Sequence, residues 1–127
     1  MEQQQLMDVL VQAKRLGSSL HEIMDLTRQL AEAIDRSDHV SVRMVMAMRQ
    51  EPIDRAALAD DTLRTLLEET PEDERAHLAD LLNGRGAQNP LEQALAERMA
   101  ANRKTMEEIR AIDQVLNKKL SRGRTSV

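Results

Sequence analysis

Apolar side chains at Leu6, Leu10, Ala13, Leu16, Leu20, Ile23, Leu30 and Ile34 advance along the chain in steps of three and four, with Thr27 at the one open position. From Glu2 to Arg36 there is no proline and one glycine, Gly17, so the pattern predicts a single long helix. At ~1.5 Å per residue such a helix extends about 50 Å, beyond the ~35 Å width of a compact domain of this length, and an elongated molecule is expected. The repeat lies near 3.5 residues, the spacing of left-handed bundle packing.

The segment Asp35-Arg36-Ser37-Asp38-His39 breaks that pattern, and Ser37 or Asp38 can accept hydrogen bonds from the amides that open a second helix, giving an antiparallel hairpin. Val40, Val42, Met44, Met46 and Met48 alternate as a half-buried strand would, yet no other segment offers a strand partner. Read as helix, Val42, Val45, Arg49, Ile53, Ala56, Leu63 and Leu67 keep one period on both sides of Pro52. This predicts a helix from Val40 to Glu69 bent near Arg49, with division into two helices at Glu51 as the alternative. Thr70-Pro71-Glu72-Asp73 reads as an N-cap, a first-turn proline and first-turn acids, and Asn83-Gly84 as a stop, which bounds a short third helix. Asn89-Pro90 opens a last helix whose seam is Leu91, Leu95, Met99, Asn102, Met106, Ile109, Leu116 and Leu120. The fold class is all-α: an elongated antiparallel helical hairpin or bundle of three long helices and one short one, over residues 1–120, with residues 121–127 as a disordered basic tail.

Composition narrows the chemistry. Among 127 residues there is no Phe, Trp or Tyr, which removes base-stacking platforms and aromatic cages, and no Cys, which removes disulfides, thiol nucleophiles and thiolate metal sites. A net charge of -4 argues against nucleic acid as a partner, and no apolar run reaches the ~20 residues of a membrane span. The start Met1-Glu2-Gln3-Gln4-Gln5 lacks the features of a signal peptide, so a cytoplasmic protein is expected. His21, His39 and His77 fall in separate segments without metal-ligand spacing, and phosphate-binding loops and nucleophile elbows are absent. The expectation is a protein that is not an enzyme and takes no metal or cofactor. Glu51 to Asp80 carries ten acids against three bases, and the last ten residues carry four bases and no acid; both read as solvated regions.

The apolar excess says more. Leu6, Met7, Val9, Leu10 and Val11 fill five of six positions and spread apolar surface around most of a helix. Val40, Val42, Met44, Val45, Met46 and Met48 do the same at the start of the second helix, where three of the eight methionines lie. Flexible Met fills core gaps, and it also suits surfaces that accept varied apolar partners. A thin bundle has little interior for two such segments, which points to a helical segment of another protein as partner, at Met44, Met46 and Met48.

The order of a long opening helix, the polar break containing Ser37-Asp38, a returning helix and a last helix with Glu97-Arg98-Met99-Ala100-Ala101-Asn102 before Met106 and Ile109 resembles the FlgN-type flagellar export chaperones, with the FliT-type close behind. The resemblance spans nearly the whole chain; Pro52 and the short acidic third segment depart from it. It implies a cytoplasmic chaperone that binds the C-terminal amphipathic helix of hook-associated flagellar proteins and delivers them to the type III export apparatus. It also places the partner-binding surface on the last helix, at Met99, Asn102, Met106, Ile109 and Leu116. A coiled-coil adaptor or structural homodimer stays open as the alternative, as does a bundle-core metalloenzyme.

Overall fold

The computed structural model describes residues 1–125 and contains four helices: α1 (Gln3–Asp35), α2 (His39–Glu69), α3 (Glu72–Leu82) and α4 (Pro90–Thr125). The expected all-α class holds, with three long helices and a short one, and no strand occurs among the described residues. α2 is unbroken through Pro52, whose missing N–H leaves the Met48 carbonyl without its helical partner.

α4 continues through residues 121–125, where a disordered tail was expected; Ser126 and Val127 of that tail lie outside the described residues. Lys118, Lys119 and Arg122 in its closing turns complement the negative end of the helix dipole, which favours continuation. Thr70 also departs from expectation. It does not cap α3; its hydroxyl donates to the Leu66 carbonyl at 2.7 Å and accepts from Gln5 Nε2 at 2.7 Å, so Thr70 closes α2 and ties it to the start of α1.

The α1–α2 corner is built from backbone geometry. Ser37, with φ 55°, occupies the left-handed position after α1, its amide donating to Ile34 at 3.0 Å and the Asp38 amide donating to Ala33 at 2.9 Å. This is a Schellman ending with serine where glycine is the unstrained choice. Asp38 then caps α2, accepting from the Ser41 amide at 3.1 Å and the Ser41 hydroxyl at 2.6 Å. Those two bonds, aided by Arg36, hold the Asp38 carboxyl below its ordinary pKa against a weaker opposing effect of burial.

α1 is the hub. It packs along both α2 and α4, while no Cα of α2 comes within 8 Å of a Cα of α4. The larger buried cluster joins Leu6, Val9, Leu10, Leu16, Leu20 and Ile23 of α1 to Leu63, Leu78, Leu81, Leu95 and Ile109; the smaller joins Leu26, Leu30, Val42, Val45 and Leu116 near the corner. α3 folds back on α4 and α2 and adds Leu78 and Leu81, both fully buried, to the cluster that holds the apolar start of α1. The N-terminal ammonium meets Glu74 of α3 at 3.2 Å. Met7 and Val11, on the remaining side, stay about two-fifths exposed.

Candidate functional site

Two furrows run along α1, and the sequence-predicted site residues divide between them. The first lies between α2 and α4. Its floor is Leu16, Leu20 and Ile23, its walls are Ile53, Ala56 and Ala57 of α2 and Met99, Met106 and Ile109 of α4, and Asp60, Arg103 and Arg110 stand at its rim. It exists because α2 and α4 each grip α1 without meeting, and the small Ala56 and Ala57 do not bridge the space. One strap crosses it: Arg49 Nη2 donates to both carboxylate oxygens of Asp113, at 3.1 and 2.9 Å. Arg49 Nε is buried without a partner, so the pair is held by its position between the two helices and not by complete hydrogen bonding.

This first furrow is open at its α2 edge, where Ile53 is 37% exposed, over a buried floor. Its three floor residues are at most 5% exposed. Asn102, at 2% exposure, donates from Nδ2 to the Ala13 carbonyl at 2.9 Å. That contact needs the helices to approach closely, and Gly17 allows it, since a Cβ built there would lie 2.8 Å from Asn102 Oδ1. The polar residue in the apolar seam fixes the register of α4 on α1, as a buried Asn does in a coiled coil.

The surface that the family resemblance places on the last helix is therefore largely interior. Asn102 is committed to α1, Ile109 belongs to the larger buried cluster, and Leu116 packs with Leu26, Leu30, Val42 and Val45 in the smaller one. Met99 and Met106 are half-buried, and Met106 Sδ accepts from Arg110 Nη2 at 3.5 Å. The physical reason is the seam itself: residues repeating at 3.5 on a long helix face whichever helix lies beside it, and here that is α1.

The second furrow runs between α1 and α2 on the opposite side of the hairpin. Val11, Lys14, Arg15, Ser18 and Glu22 face Arg55, Leu58 and Thr62 at one end; Asp25 and Gln29 face Met48 and Glu51 in the middle; Glu32 and Arg36 face Met44 and Met48 at the other. Its apolar residues are open to solvent: Leu58 is 67% exposed, Met44 56%, Met48 50% and Val11 42%. Val40, four residues before Met44, extends the stripe at 64%. Arg55 crosses the middle, hydrogen-bonded to Glu22 and 3.9 Å from Glu51. Of the three methionines singled out in α2, Met44 and Met48 line this furrow. Met46 does not; half exposed, it stands two turns before Ile53 on the α4 side. The residues expected on α4 and those expected on α2 are thus not brought together.

Leu58 is the furrow residue that sequence reasoning missed; Val11 was noted only within the apolar start of α1. Leu58 sits off the Ala56–Leu63 seam, in Ala56-Ala57-Leu58-Ala59, and a large apolar residue off the buried stripe of an otherwise well-phased helix was the available signal. Arg49 was the other, because a cation in an apolar seam requires a partner across it.

A third polar cluster holds α3 to α4. Asn89 Oδ1 accepts from the Glu92 amide at 2.9 Å, while the Glu92 carboxylate accepts from the Gln88 amide at 3.1 Å and Asn89 Nδ2 at 3.2 Å and meets His77 Nε2 at 2.8 Å. This is a reciprocal cap at the start of α4. Burial pushes the Glu92 pKa up, but the His77 hydrogen bond, the Gln88 amide, the His77 charge and the Asn89 amide together bring it below the ordinary value. The carboxylate of this histidine–acid pair is engaged in capping. His21 and His39 lie exposed elsewhere, and among the described residues no three His, Asp or Glu side chains gather as a metal ion requires. Among the described residues no helix is long and apolar enough to cross a membrane. Comparison of the chain with protein-family models, with curated proteins and with solved structures finds no match.

Proposed function

We propose that the protein is a non-enzymatic chaperone that holds an amphipathic helical segment of another protein along the α1–α2 furrow. The observation that carries this reading is the set of large apolar side chains, Val11, Val40, Met44, Met48 and Leu58, left 42–67% exposed along one furrow of the hairpin. An exposed apolar stripe of this kind on two adjacent helices offers a groove for a third helix, and Met makes the groove adaptable. The resemblance to the flagellar export chaperones names the client class: the C-terminal helical segment of a hook-associated protein, held in the cytoplasm until it is passed to the type III export apparatus. The two features that carried the resemblance have work within the fold, Ser37-Asp38 in the corner and Asn102 in the α1–α4 seam, so they support a shared architecture. The client contact itself falls on α2 and α1.

The test is fluorescence anisotropy of labelled peptides spanning the C-terminal helices of hook-associated proteins, titrated with the full chain. Saturable binding at tens of micromolar or tighter, with a gain of peptide helicity, is expected. No binding in that range overturns the flagellar reading.

A further inference from the structure

We infer that the α1–α2 furrow is covered, when no client occupies it, by the same furrow of a second copy of this chain. The charges that flank its apolar residues are segregated: Lys14 and Arg15 stand at one end, Asp25 in the middle and Glu32 towards the other. None of these four makes a salt bridge or a side-chain hydrogen bond among the described residues, whereas Arg55, Glu22 and Glu51 in the centre are paired with one another, and Arg36 beside Glu32 lies 3.8 Å from Asp38. A face with unpaired bases at one end and unpaired acids from its middle to the other, where Arg36 is turned to Asp38, complements itself when a copy is turned end over end.

The register of such a pair is fixed by the sequence. A two-fold axis lying across the hairpin that sets Lys14 of one copy over Glu32 of the other passes through their midpoint, Ile23. An axis that sets Leu58 over Met48 passes through Ile53. These two midpoints stand at the same level of the hairpin, because Arg55 of α2 reaches Glu22 of α1 there. One axis therefore satisfies the ionic contact on α1 and the apolar contact on α2, each made twice by symmetry. The face from Val11 to Arg36 extends about 38 Å at ~1.5 Å per residue, and two helices ~10 Å wide give roughly 750 Å² per copy, close to the ~800 Å² of a standard specific interface.

The dimer does not depend on the client reading, but the competition between the two does. Sedimentation equilibrium of the full chain without client is expected to show a reversible monomer–dimer equilibrium. Leu58→Asp should raise the dimer dissociation constant roughly a hundredfold, and Lys14→Glu or Glu32→Lys alone about tenfold, since each change acts at two symmetric contacts. The chain carrying both Lys14→Glu and Glu32→Lys should dimerise as the parent does, a recovery that misfolding cannot produce. A parent that is monomeric at every concentration, or a dimer indifferent to the single reversals or not recovered by the pair, overturns the inference. Labelled client peptide should dissociate the dimer. If the swapped pair restores dimerisation but no peptide binds the parent chain at concentrations where it is monomeric, the dimer stands and the client reading is the one that fails.

Discussion

The two furrows that share α1 are made of similar side chains and have opposite fates. The one between α2 and α4 has Leu16, Leu20, Ile23, Ile109 and two methionines, yet its floor is buried, its mouth is strapped by Arg49 and Asp113, and its register is pinned by Asn102 on Ala13. The one between α1 and α2 also has a buried floor, with Ala59 and Leu26, but its walls Met44, Met48, Leu58 and Val11 stay 42–67% exposed, with charges beside them. Apolar content does not separate them. What does is whether a third helix of the same chain arrives: α4 has the length and the polar pin to cover one side, and α3, only 11 residues long, packs on α4 and the end of α2.

The largest effect that would test this contrast is on client affinity. Met48→Asp with Leu58→Asp places two charges in the open furrow, where anchors contribute ~2 kcal/mol each, so affinity should fall by about a thousandfold while circular dichroism and melting temperature hardly change. A folded double variant that binds as well as the parent would move the site elsewhere. Next comes a pair of truncations read by thermal melting. Ile109→Ala, in the covered side, should destabilise by about 3 kcal/mol and lower the melting temperature by roughly 10 °C, whereas Met44→Ala on the open side should change stability by less than ~0.5 kcal/mol.

Gly17→Ala sharpens the comparison by attacking the close approach directly. Helix propensity favours alanine by ~1 kcal/mol, but the new methyl would crowd the short, pinned Asn102 side chain, and a net loss of ~1 kcal/mol is expected by denaturant titration. Adding Asn102→Ala should remove the clash, so the double variant loses less than the two single losses added together.

Acid should loosen the covered side through Glu92. Its folded pKa lies below the ordinary carboxylate value, so its contribution is present near neutral pH and is lost as pH falls through that depressed value. Melting temperature should be level near neutrality and decline in acid, and Glu92→Gln should flatten part of the decline; an unchanged pH profile in that variant would remove Glu92 from the account. The smallest effect belongs to the corner common to both furrows. Ser37→Gly relieves a left-handed φ of 55° and should stabilise by about 0.5–1 kcal/mol, measurable as a higher melting midpoint.

Much of this molecule was legible in the chain. Steps of three and four from Leu6 to Ile34, the phase that survives Pro52 and the Asn89-Pro90 opening of α4 determine four helices and their order, because side-chain periodicity and capping are local properties. Local rules also misled where a residue had a distant partner: Thr70 looked like a cap for α3 and is instead held by Gln5 from the far end of the sequence. Which apolar stripe becomes interior was not a local matter. Met106 and Met48 sit on equally amphipathic helices, and no property of either segment says which will be covered. The tertiary structure decided it, through Gly17 admitting α4 to one side of α1 while none of the described helices lies along the other. Burial depends on the neighbour a face acquires, and that neighbour is chosen by the whole chain.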